Sequence, residues 1–138
     1  MEPNAQTNNE GQTPEIPKGE EEWDETLFES NWYKTTEKFE DMGLKKNLLR
    51  GIFGYGFETP SAIQQKAIEP LTLKKDIIAQ AQSGSGKTAT VTIGMLQNID
   101  NKDLKVQALI LAPTRELAKQ IYGVVSSLGS FLEISCVL

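Results

Sequence analysis

The chain has no histidine and a single cysteine, Cys136, in 138 residues. A disulfide within the chain is impossible. A zinc site would have to be assembled from carboxylates, against that metal's preference for nitrogen and sulfur ligands. Long apolar runs are also missing, so no segment is long enough to span a membrane. The first residues, MEPNAQTNNEGQ, are acidic and polar and lack the apolar stretch of a signal peptide. The expectation is a soluble intracellular protein in a reducing compartment. Basic residues are scarce at one end. Met1 to Lys38 holds 10 acidic and 3 basic residues, a net of −7, whereas Phe39 onward holds 11 basic and 9 acidic, a net of +2. The overall charge of −5 therefore belongs to a tail and does not argue against a nucleic-acid partner for the rest. The length fits one domain or part of one.

Residues 1–28 are rich in Asn, Gln, Glu, Gly and Pro and have almost no periodic apolar positions, which predicts a disordered acidic tail. Trp23, Phe28, Trp32, Tyr33 and Phe39 are spread from the end of this stretch into the next. They either dock on a domain surface or mark a partner site on a loosely attached arm. Residues 29–55 form this arm and a first helix, with Leu44, Leu48, Leu49 and Ile52 at helical spacing and Gly54 and Gly56 as its stop. TPSAIQQKAIEPLTL predicts a second helix with Ser61 as N-cap and Ala62, Ile63, Ala67 and Ile68 inward. DIIAQA, VQALILA and ISCVL are continuous apolar runs, each expected to be a buried strand. KTATVTIGMLQNI and TRELAKQIYGVVSSLG are expected helices, the latter with Leu117, Ile121, Val124, Val125 and Leu128 inward. Alternating strands and helices predict an α/β domain with a parallel sheet over residues 56–138.

AQSGSGKT, from Ala81 to Thr88, lies between an expected strand and an expected helix. The Walker A pattern has glycine at its first position, where this chain has Ala81; Gly86, Lys87 and Thr88 fit. Gly84 and Gly86 let backbone N–H groups approach oxygen closely. The following helix adds its free N–H groups and the positive end of its dipole. Ala81, Gln82, Ser83, Gly84, Ser85 and Gly86 are thus the candidate phosphate cradle. Lys87 would reach the β- and γ-phosphates and Thr88 would ligate Mg²⁺, making these two the candidate catalytic residues and a nucleotide with Mg²⁺ the expected ligand. The cradle alone does not choose among nucleotides.

GFETPSAIQ, from Gly56 to Gln64, resembles the Q motif of DEAD-box RNA helicases, with Ser61 in place of the commoner Thr. Phe39 lies seventeen positions before Gly56, where that family places an isolated aromatic. PTRELA, from Pro113 to Ala118, is similar to the family's motif Ia, and an alanine at the start of the cradle is usual in it. The likeness runs from about Glu29 to Leu138. It implies a RecA-like P-loop domain and an ATP-dependent RNA helicase that hydrolyses ATP. ESNWYKTTEKFEDM and AQAQSG resemble members acting in translation initiation, while MGL leans toward an exon-junction member, the alternative. The implied partners are RNA, held by its backbone, and a translation-initiation scaffold protein. The implied location is cytoplasmic, or nuclear for the exon-junction alternative.

The implied roles make chemical sense. The amide of Gln64 donates and accepts at once, which matches the N7 acceptor and N6 donor of adenine and fails on guanine. Phe39 would stack on the base, or else simply anchor the arm. Pro113, Thr114 and Arg115 open a helix after a strand end, a place suited to an RNA phosphate. Capping by Thr114 with a surface arginine explains the same residues without RNA. The family's DEAD acid pair, its SAT motif and its second RecA-like domain with an arginine finger do not occur in these residues. The expectation is an incomplete domain, inactive by itself, whose P-loop strand lacks the later strands that flank it in the family. A truncated product acting as a non-catalytic binding module is the rival of a different class.

Overall fold

Helix α1 (Lys46–Gly54), α2 (Ala62–Thr72), α3 (Lys87–Asn98) and α4 (Arg115–Leu128) follow a short 3₁₀ turn at Phe39–Met42. The computed structural model describes residues 35–138, all within one unit that begins at Asn31. The expected tail, and the docking or partner role of Trp23, Phe28, Trp32 and Tyr33, lie outside the described residues.

Each helix follows from local chemistry. Leu48 and Ile52, one helical turn apart, are the fully buried side chains of α1. The backbone N–H of Lys45, just before that helix, is taken by Gln97 Oε1 of α3 at 2.8 Å. Ser61 caps α2 in a reciprocal capping box with Gln64. Chain reversal after α2 places Lys74 at φ 59, a left-handed conformation uncommon outside glycine. Thr114 caps α4 by accepting from the Leu117 N–H at 3.2 Å.

The core is shared by all four helices. Leu48 and Ile52 of α1, Ile68 of α2, Ala89, Ile93 and Leu96 of α3, and Val125 and Leu128 of α4 join Phe39, Met42, Leu44 and Leu132 in one buried cluster. The helix α3 touches the other three and packs most extensively on α2. Segment 35–42 is clasped onto α2. The Thr36 N–H donates to the Gln65 carbonyl at 3.1 Å, and the Thr36 hydroxyl donates to Glu69 Oε2 at 3.1 Å. The Arg50 guanidinium of α1 lies 4.4 Å from the centroid of the Phe131 ring.

The parallel sheet is not present. Among the described residues there is no strand, and 76–81, 106–112 and 134–138 run as coil. The physical reason is that a strand exists only through a ladder to a neighbour. Among the described residues no backbone hydrogen bond links these three segments to one another. Many of their side chains accordingly face solvent, with Ile78 96% exposed and Val106 91% exposed, while Ile110, Ile134 and Cys136 pack partly buried against the core. Leu117, expected inward on α4, is left partly exposed, while Val125 and Leu128 on the same helix are buried. Ala62, expected inward on α2, is exposed beside the cap.

Candidate nucleotide-binding site

The turn from Ala81 to Gly86 is shaped by two left-handed glycines, Gly84 at φ 79 and Gly86 at φ 92. The Ser85 N–H donates to the Gln82 carbonyl at 3.3 Å and closes the turn. α3 starts immediately after Gly86, and no side chain caps it. Its first N–H groups are therefore open to an outside acceptor at the positive end of the helix.

Lys87 folds back over this turn. Its ammonium donates to the Ala81 carbonyl and to the Gln82 carbonyl, the latter at 2.6 Å. Ser85 Oγ is buried with no hydrogen-bond partner among the described residues. An orphan hydroxyl, an uncapped helix start and a lysine paired only with neutral carbonyls are a set of donors short of acceptors. That set fits an anion of phosphate type. The Thr88 side chain is exposed at the same helix start. Among the described residues no cluster of three or more His, Cys, Asp or Glu could hold a metal. Thr88 could give one oxygen to a magnesium ion held with the phosphates, a hard cation that commonly keeps several waters.

The cap of α2 meets this turn. The Ser61 hydroxyl donates to the Ser85 carbonyl at 2.7 Å. The Ser61 N–H donates to Gln64 Oε1 at 2.8 Å, which fixes how the carboxamide is turned. Gln64 is 2% exposed, and its Nε2 lies so near Gly86 that a Cβ on that glycine would sit 2.8 Å away. A carbonyl oxygen has two lone pairs, so Gln64 Oε1 retains acceptor capacity beside the bond to Ser61. Gln64 thus has a defined orientation at the edge of the cradle.

The other expected site residues are placed differently. Phe39 is fully buried, edge-on to Phe53 at 6.4 Å and tilted against Phe57 at 6.5 Å. Stacking on a base would require the ring to leave this cluster; in the present arrangement it anchors the arm. Pro113, Thr114 and Arg115 are exposed at the start of α4. The Thr114 hydroxyl is used as a cap, and among the described residues no hydrogen bond joins the three to the cradle. The latch from Ser61 to Ser85 is beyond what the sequence announces. The Ser-x-x-Gln pattern signals a capping box, but the bond from Ser61 to a residue 24 positions later has no local signal.

The DEAD/DEAH box helicase family profile matches residues 61–138, more than half of the chain. The chain belongs to the DEAD/DEAH box helicase family. It is 57% identical over 117 residues to the "ATP-dependent RNA helicase eIF4A" of Scheffersomyces stipitis, covering 85% of this chain and 30% of that protein. To the "Eukaryotic initiation factor 4A" of Caenorhabditis elegans it is 59% identical over 109 residues, or 79% of this chain and 27% of that one. Among solved structures, S. cerevisiae Dbp5 bound to RNA and ADP BeF3 superposes with a TM-score of 0.68 at 43% identity, over 72% of this chain and 26% of that chain. The DEAD-box chain thus spans less than a third of the length of these relatives.

Proposed function

We propose that the chain is the N-terminal ATP-binding part of an ATP-dependent RNA helicase that unwinds RNA in translation initiation. The observation that supports this reading most is the meeting of Ser61 and Gln64 with Ser85 and Gly86. An adenine-reading amide and a phosphate cradle are thereby joined in one site. The relatives named eIF4A supply the process.

In this proposal Lys87 and the N–H groups at the start of α3 bind and neutralise the phosphates. Thr88 contributes one oxygen to the magnesium ion, which supplies charge neutralisation at the transferred phosphate. Gln64 selects adenine through its paired donor and acceptor. Ser61 holds the cradle at the right distance from Gln64. Pro113, Thr114 and Arg115 contact the RNA backbone without reading sequence. ATP hydrolysis drives RNA strand separation, and a scaffold protein of the initiation machinery is the expected partner in the cytoplasm. Among the described residues no helix is long and apolar enough to cross a membrane.

The test is phosphate release by the full-length protein, with ATP or GTP, in the presence and absence of single-stranded RNA. The proposal expects release that depends on ATP and rises with RNA. Release that is indifferent to RNA, or equal for the two nucleotides, contradicts it.

A further inference from the structure

The helices α2 and α3 carry the two halves of the candidate site at their N-termini. There Ser61 bonds Ser85, and Gln64 lies against Gly86. The same two helices meet a second time near their C-termini. A Cβ built on Gly94 would overlap the Leu71 Cβ and would lie 2.9 Å from its Cδ1 and 3.1 Å from its Cγ. Asn98 Nδ2 donates to the Leu71 carbonyl at 2.8 Å and to the Gly94 carbonyl at 3.0 Å. Start meets start and end meets end, so the two helices run side by side in the same direction.

We propose that Leu71, Gly94 and Asn98 are positioning residues that set the register of α2 against α3, and through it the placement of Gln64 on the cradle. A helix pair touching at one end can slide or splay; a second contact removes that freedom. Gly94 stands eight residues beyond Gly86, roughly 12 Å along the axis at about 1.5 Å per residue. It touches neither the cradle nor Gln64, so its effect travels through the helix body. The absent side chain at Gly94 lets the end of α2 settle, and Asn98 bridges the Leu71 carbonyl of α2 to the Gly94 carbonyl of α3. A methyl group at Gly94 would press on Leu71 and tilt α2. At the other end the latch between Ser61 and Ser85 tolerates little displacement, since hydrogen bonds weaken steeply as they lengthen and bend.

This inference rests on the reading of Gln64 as the adenine-selecting group, and the experiment separates the two. The full chain is prepared as parent, Gly94→Ala, Leu71→Gly with Gly94→Ala, and Asn98→Leu. Two quantities are read: the NMR signals of the Gln64 side-chain amide, and the ratio of affinities for fluorescent ATP and GTP analogues. Gly94→Ala is expected to shift the Gln64 signals and lower the ATP preference by about tenfold, the worth of one good hydrogen bond. The double variant, which has no Cβ at position 71 for the new one to strike, restores both. Loss of the preference with no restoration, or unmoved Gln64 signals in Gly94→Ala, overturns the proposal. Should Gly94→Ala fail to fold, Asn98→Leu decides the matter, because it removes the same clamp without adding bulk at Gly94; unchanged Gln64 signals there overturn it too. A parent chain with no nucleotide preference sinks the adenine reading, while the Gln64 signals still decide whether the clamp sets the register.

Discussion

Gln64 Nε2 and Gly86 are in such close approach that the cradle has room for a hydrogen atom at position 86 and not for a methyl group. Residues 22 positions apart in sequence thereby share one small volume, at the point where a base and its phosphates would meet.

Gly86→Ala is expected to fail for two separate reasons. Its φ of 92 lies in the left-handed region, and its Cβ would strike Gln64. The conformational part alone costs roughly 1–2 kcal/mol. Titration with a fluorescent ATP analogue should show at least a tenfold loss of affinity, about the equivalent of 1.4 kcal/mol. Combining it with Gln64→Ala relieves only the collision, so affinity should remain low. Full recovery in the double variant would mean that the backbone angle does not matter.

Lys87→Ala should weaken ATP binding and abolish hydrolysis. Charge-assisted hydrogen bonds to phosphate are worth roughly 1.5–3 kcal/mol, on the order of ten- to a hundredfold in affinity. The assay is binding and turnover of the full-length protein. Turnover at the parent rate would remove the phosphate role from this lysine.

Gln64→Ala combines two effects that can be measured apart. Loss of the bond from the Ser61 N–H to Gln64 Oε1, half of the capping box, should destabilise α2 by about 0.5–1.5 kcal/mol, visible as a lower urea midpoint. Loss of the proposed adenine contact should reduce the preference for ATP over GTP more than it reduces the affinity for inorganic triphosphate. An unchanged preference would place adenine recognition on another residue.

Gly51→Ala tests the packing of α1 on the end of α4. A Cβ there would overlap the Leu128 carbonyl oxygen and lie 2.9 Å from the carbonyl carbon. Backbone cannot rotate away as a side chain can, so overpacking at this point should cost about 1–3 kcal/mol. A urea midpoint equal to the parent's would contradict this close approach. Nucleotide preference should be unaffected in the folded fraction.

The helices are legible in the sequence because their determinants are local. Leu48 and Ile52 recur at helical spacing, Ser61 caps, Thr114 caps, and Gly54 ends α1 where the pattern stops. The cradle is legible because glycine at positions 84 and 86 has few other uses beside Lys87 and Thr88. The strands are not, although DIIAQA and VQALILA have the expected composition. Strand formation is a property of a pair of segments, and composition describes one segment at a time. The fate of Phe39 is equally hidden. Its burial depends on Phe53 and Phe57, whose placement follows only from the packing of α1. The contacts among Leu71, Gly94 and Asn98 leave no local mark, since none of the three belongs to a motif.

Lys87 already has acceptors of its own in the Ala81 and Gln82 carbonyls. Under the proposed role of Lys87, nucleotide binding would be an exchange, in which the ammonium releases two neutral dipoles and takes up a polyanion. The two sides respond differently to salt. Ion–dipole contacts within a turn are short-ranged and barely screened, whereas the attraction of a mobile anion across open solvent fades as the Debye length shrinks from about 10 Å at 0.1 M to about 3 Å at 1 M. Rising ionic strength thus favours the lysine's own loop over the incoming phosphates. The hold on phosphate proposed for Lys87 should therefore weaken with salt while its contacts to the Ala81 and Gln82 carbonyls persist.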